Sequence, residues 1–145
     1  MQVEPEYAVI KCIYEDLSWE FMKDEQVYKD VINSHEFISF FTNYKNPSMN
    51  SAWLGRKVNI KILEAGYQDV PYNGVCEPTF YGAKLVERIH PSGRDETACV
   101  SSGLGLWHNK IYHFLPDSEP GVGEKDIQSE FFVSVEDFPN AIEHI

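Results

Sequence analysis

Arg56-Lys57-Val58-Asn59-Ile60-Lys61-Ile62-Leu63 is the stretch whose reading decides the fold class. Val58, Ile60 and Ile62 alternate with Lys57, Asn59 and Lys61. Successive side chains on a strand point to opposite faces, so this is the pattern of a β-strand with one buried and one wet face. An amphipathic helix would space its apolar residues three and four apart. Before this strand, Asn43 to Ser51 is rich in Asn, Ser and Pro and reads as a loop. After it, Gly66 to Gly74 reads as a turn-rich connection, and Thr79 to Ile89 as a long strand with Gly82 as a bulge or bend. His90 to Asp95 turns the chain, and Thr97 to Ser101 can run back antiparallel. Leu104 to Trp107 and Ile111 to Leu115, joined at His108-Asn109-Lys110, read as a hairpin. Phe131 to Val135 reads as a last strand and Phe138 to Ile145 as a short helical tail.

Toward the N-terminus the pattern begins as a strand and then changes period. Tyr7 to Tyr14 is β-branched and aromatic and predicts the first strand. Leu17 and Phe21 are four apart, as are Val27 and Val31, and Tyr28 and Ile32. With Ser18 and Asp24 as candidate N-caps, this predicts one or two short helices over about 17–33. Ser34 is a candidate cap for Phe37 to Phe41, which fits helix or strand equally. Consecutive strands joined by short turns predict an α+β fold. Its sheet should be mostly antiparallel, sandwich-like or strongly curved, with short N-terminal helices and a short C-terminal helix. One domain over residues 1–145 is expected, with Val58, Ile60, Ile62, Leu85, Val100, Ile111, Phe131 and Val133 in its core.

Composition narrows the functional classes. The chain of 145 residues is 43% hydrophobic and 14% aromatic, outside the range of disordered sequences. It has no apolar run long enough to span a bilayer. Met1 to Glu6 shows no basic and apolar leader pattern, so a cytoplasmic protein is expected. Cys12, Cys76 and Cys99 are odd in number and lack a C-x-x-C pair, which predicts reduced, buried thiols. The formal charge is −11. Acids concentrate in residues 1–36 and 117–145, while the middle of the chain is slightly basic. Such a chain is a poor ligand for nucleic acid, whose phosphates are held by Lys and Arg. It suits a basic partner instead.

Chemical motifs are sparse. His108 and His113 flank the expected hairpin turn, but no third ligand stands at a metal-binding spacing, and no metal or other cofactor is expected. Ser101-Ser102-Gly103-Leu104-Gly105 lacks the glycine that precedes a nucleophile-elbow serine, and it is not a phosphate-binding loop. Cys76 has no cationic neighbour in sequence to activate its thiol. The acid pairs follow no calcium-loop spacing. Catalysis is therefore not expected, and the sequence points to a binding protein. Glu15, Asp16 and Glu20 with Trp19 as an aromatic anchor form one candidate binding patch. Asp117, Glu119, Glu124 and Asp126, in an acidic loop flanked by Pro116 and Pro120, form the second.

In this profile the chain resembles the small acidic immunity proteins of bacterial contact-dependent growth inhibition and polymorphic-toxin systems. The resemblance implies binding of a cognate protein toxin, a basic nuclease domain above all, with its active site or substrate access blocked. It implies no direct contact with nucleic acid or membrane. Two other classes fit the same residues: a small enzyme or ligand-binding protein with a pocket lined by Trp107, His108 and His113, and an adaptor for another basic partner.

Overall fold

The run predicted as the first strand forms β1 (Tyr7–Ser18), and the sheet is arranged around it. The structure, a computed structural model, describes residues 6–42, 48–64, 75–87, 98–99, 102–110, 113–114 and 131–144. Along one side of β1 runs β3 (Ser48–Asn59), antiparallel from Tyr7 opposite Asn59 to Ser18 opposite Ser48. Two short strands share its other side. β7 (Gly103–Leu106) pairs with Ala8 to Lys11, and β5 (Ala83–Val86) pairs with Ile13 to Glu15. β2 (Phe37–Phe41) lies outside β3, and β4 (Thr79–Phe80) lies outside β5. This six-stranded sheet is antiparallel throughout, and β6 (Ala98–Cys99) pairs with β8 (His113–Phe114) in a separate two-stranded sheet. With α1 (Glu25–Asn33), α2 (Lys61–Glu64), α3 (Trp107–Lys110) and α4 (Phe138–Glu143), the fold is α+β and mostly antiparallel, as the patterning predicts.

Strand β1 is buried on both faces. Ala8, Ile10, Cys12 and Tyr14 face a cluster completed by Leu17, Phe21, Met22, Tyr28, Val31, Leu54 and Leu104. On the opposite face Ile13 packs with Trp53 and Val86, and the ammonium of the buried Lys11 sits 4.7 Å from the centre of the Trp53 ring. The strand read over residues 56–63 holds only as far as Asn59: Ile60 is a turn residue and Lys61–Glu64 form α2, although Val58, Ile60 and Ile62 pack against the core while Lys57 and Lys61 are exposed. Leu85 packs there as well, whereas Val100 and Ile111 lie outside the described residues.

Both proposed caps are present. Ser18 Oγ accepts from the amide of Glu20 and opens a 3-10 turn over Trp19–Lys23. Asp24 Oδ1 accepts from the amides of Gln26 and Val27 at 3.0 and 3.1 Å and starts α1. Residues 37–41 take the strand alternative, and Ser34 closes α1 instead of opening a new helix.

Five expectations are corrected. Leu17 belongs to β1, not to a helix: its position opposite Met49 overrides its helical spacing from Phe21. Ser48 to Ser51, read as loop, are strand for the same reason, paired against the far end of β1. Residues 79–89 do not form one strand. Tyr81 (φ 45°) and Gly82 (φ 83°) fold 79–80 onto 83–86 through a turn positive in φ at both central residues, so Gly82 marks a reversal. The hairpin around His108 is replaced by α3, because β8 pairs with β6 instead of β7. Phe131 to Val135 is not a strand, and Phe131 and Val133 are not core residues. The places beside β1 are taken by β3, β5 and β7, which leaves Phe131 88% and Phe132 93% exposed.

The cysteines are the sixth correction. Cys12 and Cys76 form a disulfide, with Cα atoms 5.7 Å apart across 64 positions of sequence. Wide spacing along the chain concealed a contact that exists because the segment before β4 crosses the buried face of β1. Tyr14 on β1 confirms that crossing by donating its hydroxyl to the carbonyl of Glu77 at 3.0 Å.

Candidate partner-binding surface

The amphipathic spacing of α1 turns Tyr28 and Val31 inward and leaves Glu25, Gln26, Lys29 and Asp30 in water. Against this helix lies the C-terminal segment, anchored where the Tyr28 hydroxyl donates to the carbonyl of Val135 at 2.9 Å. Between them is a groove of about 350 Å3, with Met22, Tyr28 and Ile32 at its base and Val135, Glu136 and Pro139 on its far wall. A shallower depression continues past Glu20, Asp24 and Glu25.

The charged groups of the groove are Glu25, Glu136, Lys23 and Lys29, and Glu20 and Asp24 line the adjoining depression. Glu20, Asp24, Glu25, Glu136 and Glu143 are all exposed, and the lysines among them are already engaged. Lys23 pairs with Glu20 at 2.6 Å, and Lys29 pairs with Glu25. The hydrogen bond that Lys23 donates to Glu20 raises the pKa of Lys23, with a smaller push from Glu143. The bond to Glu25 raises that of Lys29, with Glu136 adding to it, and the same bond lowers the pKa of Glu25. Burial raises the pKa of Tyr28, and Glu136 raises it further. Glu25 of α1 and Glu136 of the C-terminal segment therefore line one groove. Leading into it along the chain, Phe131, Phe132, Val133 and Val135 are exposed, an apolar run with Glu136 and Asp137 directly behind it.

The residues expected to bind are placed unevenly. Glu20 lines the depression that continues the groove. Asp16 is exposed near the end of β1 with φ 61°, a left-handed conformation that Asp tolerates better than most residues. Glu15 is partly buried opposite Ser51 and Lys84. Trp19 is half committed to its own core, edge-on to Phe40 at 6.5 Å. Asp117, Glu119, Glu124 and Asp126 lie outside the described residues. Asp24, Glu25, Tyr28, Glu136 and Glu143 are not among the expected binding residues, and nothing local in the sequence signals that the two ends of the chain meet.

The alternative pocket around Trp107, His108 and His113 does not assemble as a hairpin. Trp107 stacks on Tyr7 at 6.3 Å, and His108 is exposed on α3. Among the described residues no three His, Cys, Asp or Glu side chains are grouped to hold a metal ion, and no helix is long and apolar enough to cross a membrane. Neither a protein family nor a curated protein matches the sequence.

Proposed function

We propose that this chain is an immunity protein that binds a basic toxin domain, of nuclease type, and blocks its active site or its access to substrate. The observation that carries the reading is the groove where acids from both ends of the chain surround an apolar floor. Exposed carboxylates steer a cationic partner into encounter, and exposed aromatic residues beside them supply contact area once water is excluded. Lys23 and Lys29 cancel the charges of Glu20 and Glu25, so Asp24 and Glu136 carry the net negative charge around the groove and its adjoining depression. Substrate nucleic acid itself is disfavoured by the same charges.

The test is co-expression with the toxin encoded immediately upstream, followed by binding kinetics at low and physiological salt. Growth rescue is expected, with association that slows as salt rises, because exposed charges act only over a Debye length of about 8 Å at physiological ionic strength. Reversing Glu20, Asp24 and Glu136 together to lysine should slow association and flatten its salt dependence. Failure to rescue and to bind overturns the immunity reading. Unchanged association after charge reversal overturns the electrostatic mechanism alone. The reading places the encounter in the cytoplasm, where disulfides are rare, while the Cys12–Cys76 bond leaves one thiol of three. Protein quenched directly from cells decides between the two: a single free thiol overturns the cytoplasmic location, and three show that the bond is reduced there.

A further inference from the structure

A second cavity, of about 210 Å3, lies away from the acidic groove, between β1, β3, the turn after α1 and the segment leading into β4. Its floor is apolar, made by the Cys12 side of the disulfide, Leu54 and Phe80. Its polar groups carry a particular set of charges. Arg56 supplies a guanidinium, and among the described residues its hydrogen bonding is one long contact, Nη2 to the carbonyl of Val75 at 3.4 Å. Five N–H donors leave most of that fork available. Glu77 supplies a carboxylate on the same cavity. The two do not pair with each other among the described residues, yet both act on the Tyr14 hydroxyl, Arg56 lowering its pKa and Glu77 raising it, beneath the larger upward effect of burial.

His35 completes the set as an acceptor. Its Nδ1 lies 2.7 Å from the carbonyl of Val31. A carbonyl only accepts, so Nδ1 carries the proton and Nε2 carries the lone pair. Burial lowers the pKa of the ring and the charge of Arg56 adds to that, against the hydrogen bond to Val31, which raises it. Phe80 stands edge-on to it at 6.3 Å.

One cation, one anion and one neutral acceptor around a small space with an apolar floor match a zwitterion. We propose that this cavity binds a small free α-amino acid, its carboxylate on Arg56 and its ammonium between Glu77 and His35 Nε2. The volume equals that of about seven liquid waters, which leaves room for a small amino acid such as glycine or alanine. This site is independent of the toxin-binding reading and differs in every residue from the pocket expected around Trp107.

Glycine, acetate and methylamine, titrated into the full chain and followed by NMR, test the idea. Acetate keeps only the carboxylate of glycine, and methylamine keeps only an ammonium. Glycine should shift the signals of His35, Tyr14 and Arg56 saturably, and each half-molecule should bind at least about tenfold more weakly, a difference of one lost polar contact. Arg56→Gln and Glu77→Gln should each weaken glycine binding by a similar factor. No saturable shift at these residues overturns the proposal, as does glycine binding no tighter than either half. Variants that fold and bind as the wild type overturn it too. If a variant does not fold, the comparison of the three probes on the unaltered protein still decides.

Discussion

Phe37 lies across Gly55, and a Cβ placed on that glycine would sit 2.1 Å from the ring. The glycine is therefore a packing requirement: an aromatic from β2 covers the backbone of β3 at the position directly opposite, Phe37 to Gly55. Gly55→Ala should cost about 1–3 kcal/mol, the range for overfilling a packed site, and Phe37→Leu in the same chain should recover part of it. Chemical denaturation of the two variants checks this, and equal stability of Gly55→Ala and wild type would refute it. His35 gives a pH prediction at the same scale. Its pKa is lowered in the fold, so the unfolded chain binds the extra proton more readily. Stability linked to this ring is thus fully present above its ordinary value near 6.5 and is lost as pH falls toward the lower folded value. His35→Gln should flatten the stability profile on the acidic side of neutrality. A profile identical to wild type would show that the ring is not buried as described.

Individual elements hold together through contacts of very different range. Helix α1 depends on a local one, the Asp24 carboxylate on the amides of Gln26 and Val27. Asp24→Ala should destabilise by about 1 kcal/mol, and Asp24→Ser should restore most of that. The β4 segment depends on a distant one. The Cys12–Cys76 bond closes a separation of 64 residues, for which loop-closure entropy gives about 4 kcal/mol, with about 2–4 typical of measured cases. Reduction, or Cys76→Ser, should therefore lower the unfolding midpoint substantially. If reductant leaves the midpoint unmoved, the bond is not formed in solution. The same change frees one wall of the amino-acid cavity, because Cys76, Glu77 and Phe80 lie along one short stretch.

At the scale of the whole molecule, the exposed run Phe131-Phe132-Val133 is the least expected feature. Apolar surface of this kind marks an interaction site more often than an accident of packing. Phe131→Ser with Phe132→Ser should change folding stability by no more than about 0.5 kcal/mol, as for other exposed positions. The same pair should slow toxin capture or hasten release if the run is part of the interface. A large loss of stability in the double variant would place these rings in the core after all.

Much of this molecule was legible along the chain. Period-two alternation marked the wet and buried faces of β3 as far as Asn59, Ser and Asp at 18 and 24 marked two caps, and Tyr28, Val31 and Ile32 marked the inner face of α1. Each of these signals acts within a few residues, where side-chain direction follows directly from backbone geometry. Charge composition foretold an acidic surface, because carboxylates stay in water whatever the fold. What remained was decided by pairing across the fold. Leu17 became strand because β3 reached it, β8 left β7 for β6, and Phe131 to Val135 found every place beside β1 already filled. Cys12 met Cys76, acids at residues 20–25 met acids at 136–143, and Arg56, Glu77 and His35 met around one cavity. Contacts between residues so far apart depend on which strands win the limited hydrogen-bonding edges of β1, a competition settled only when the whole chain is folded.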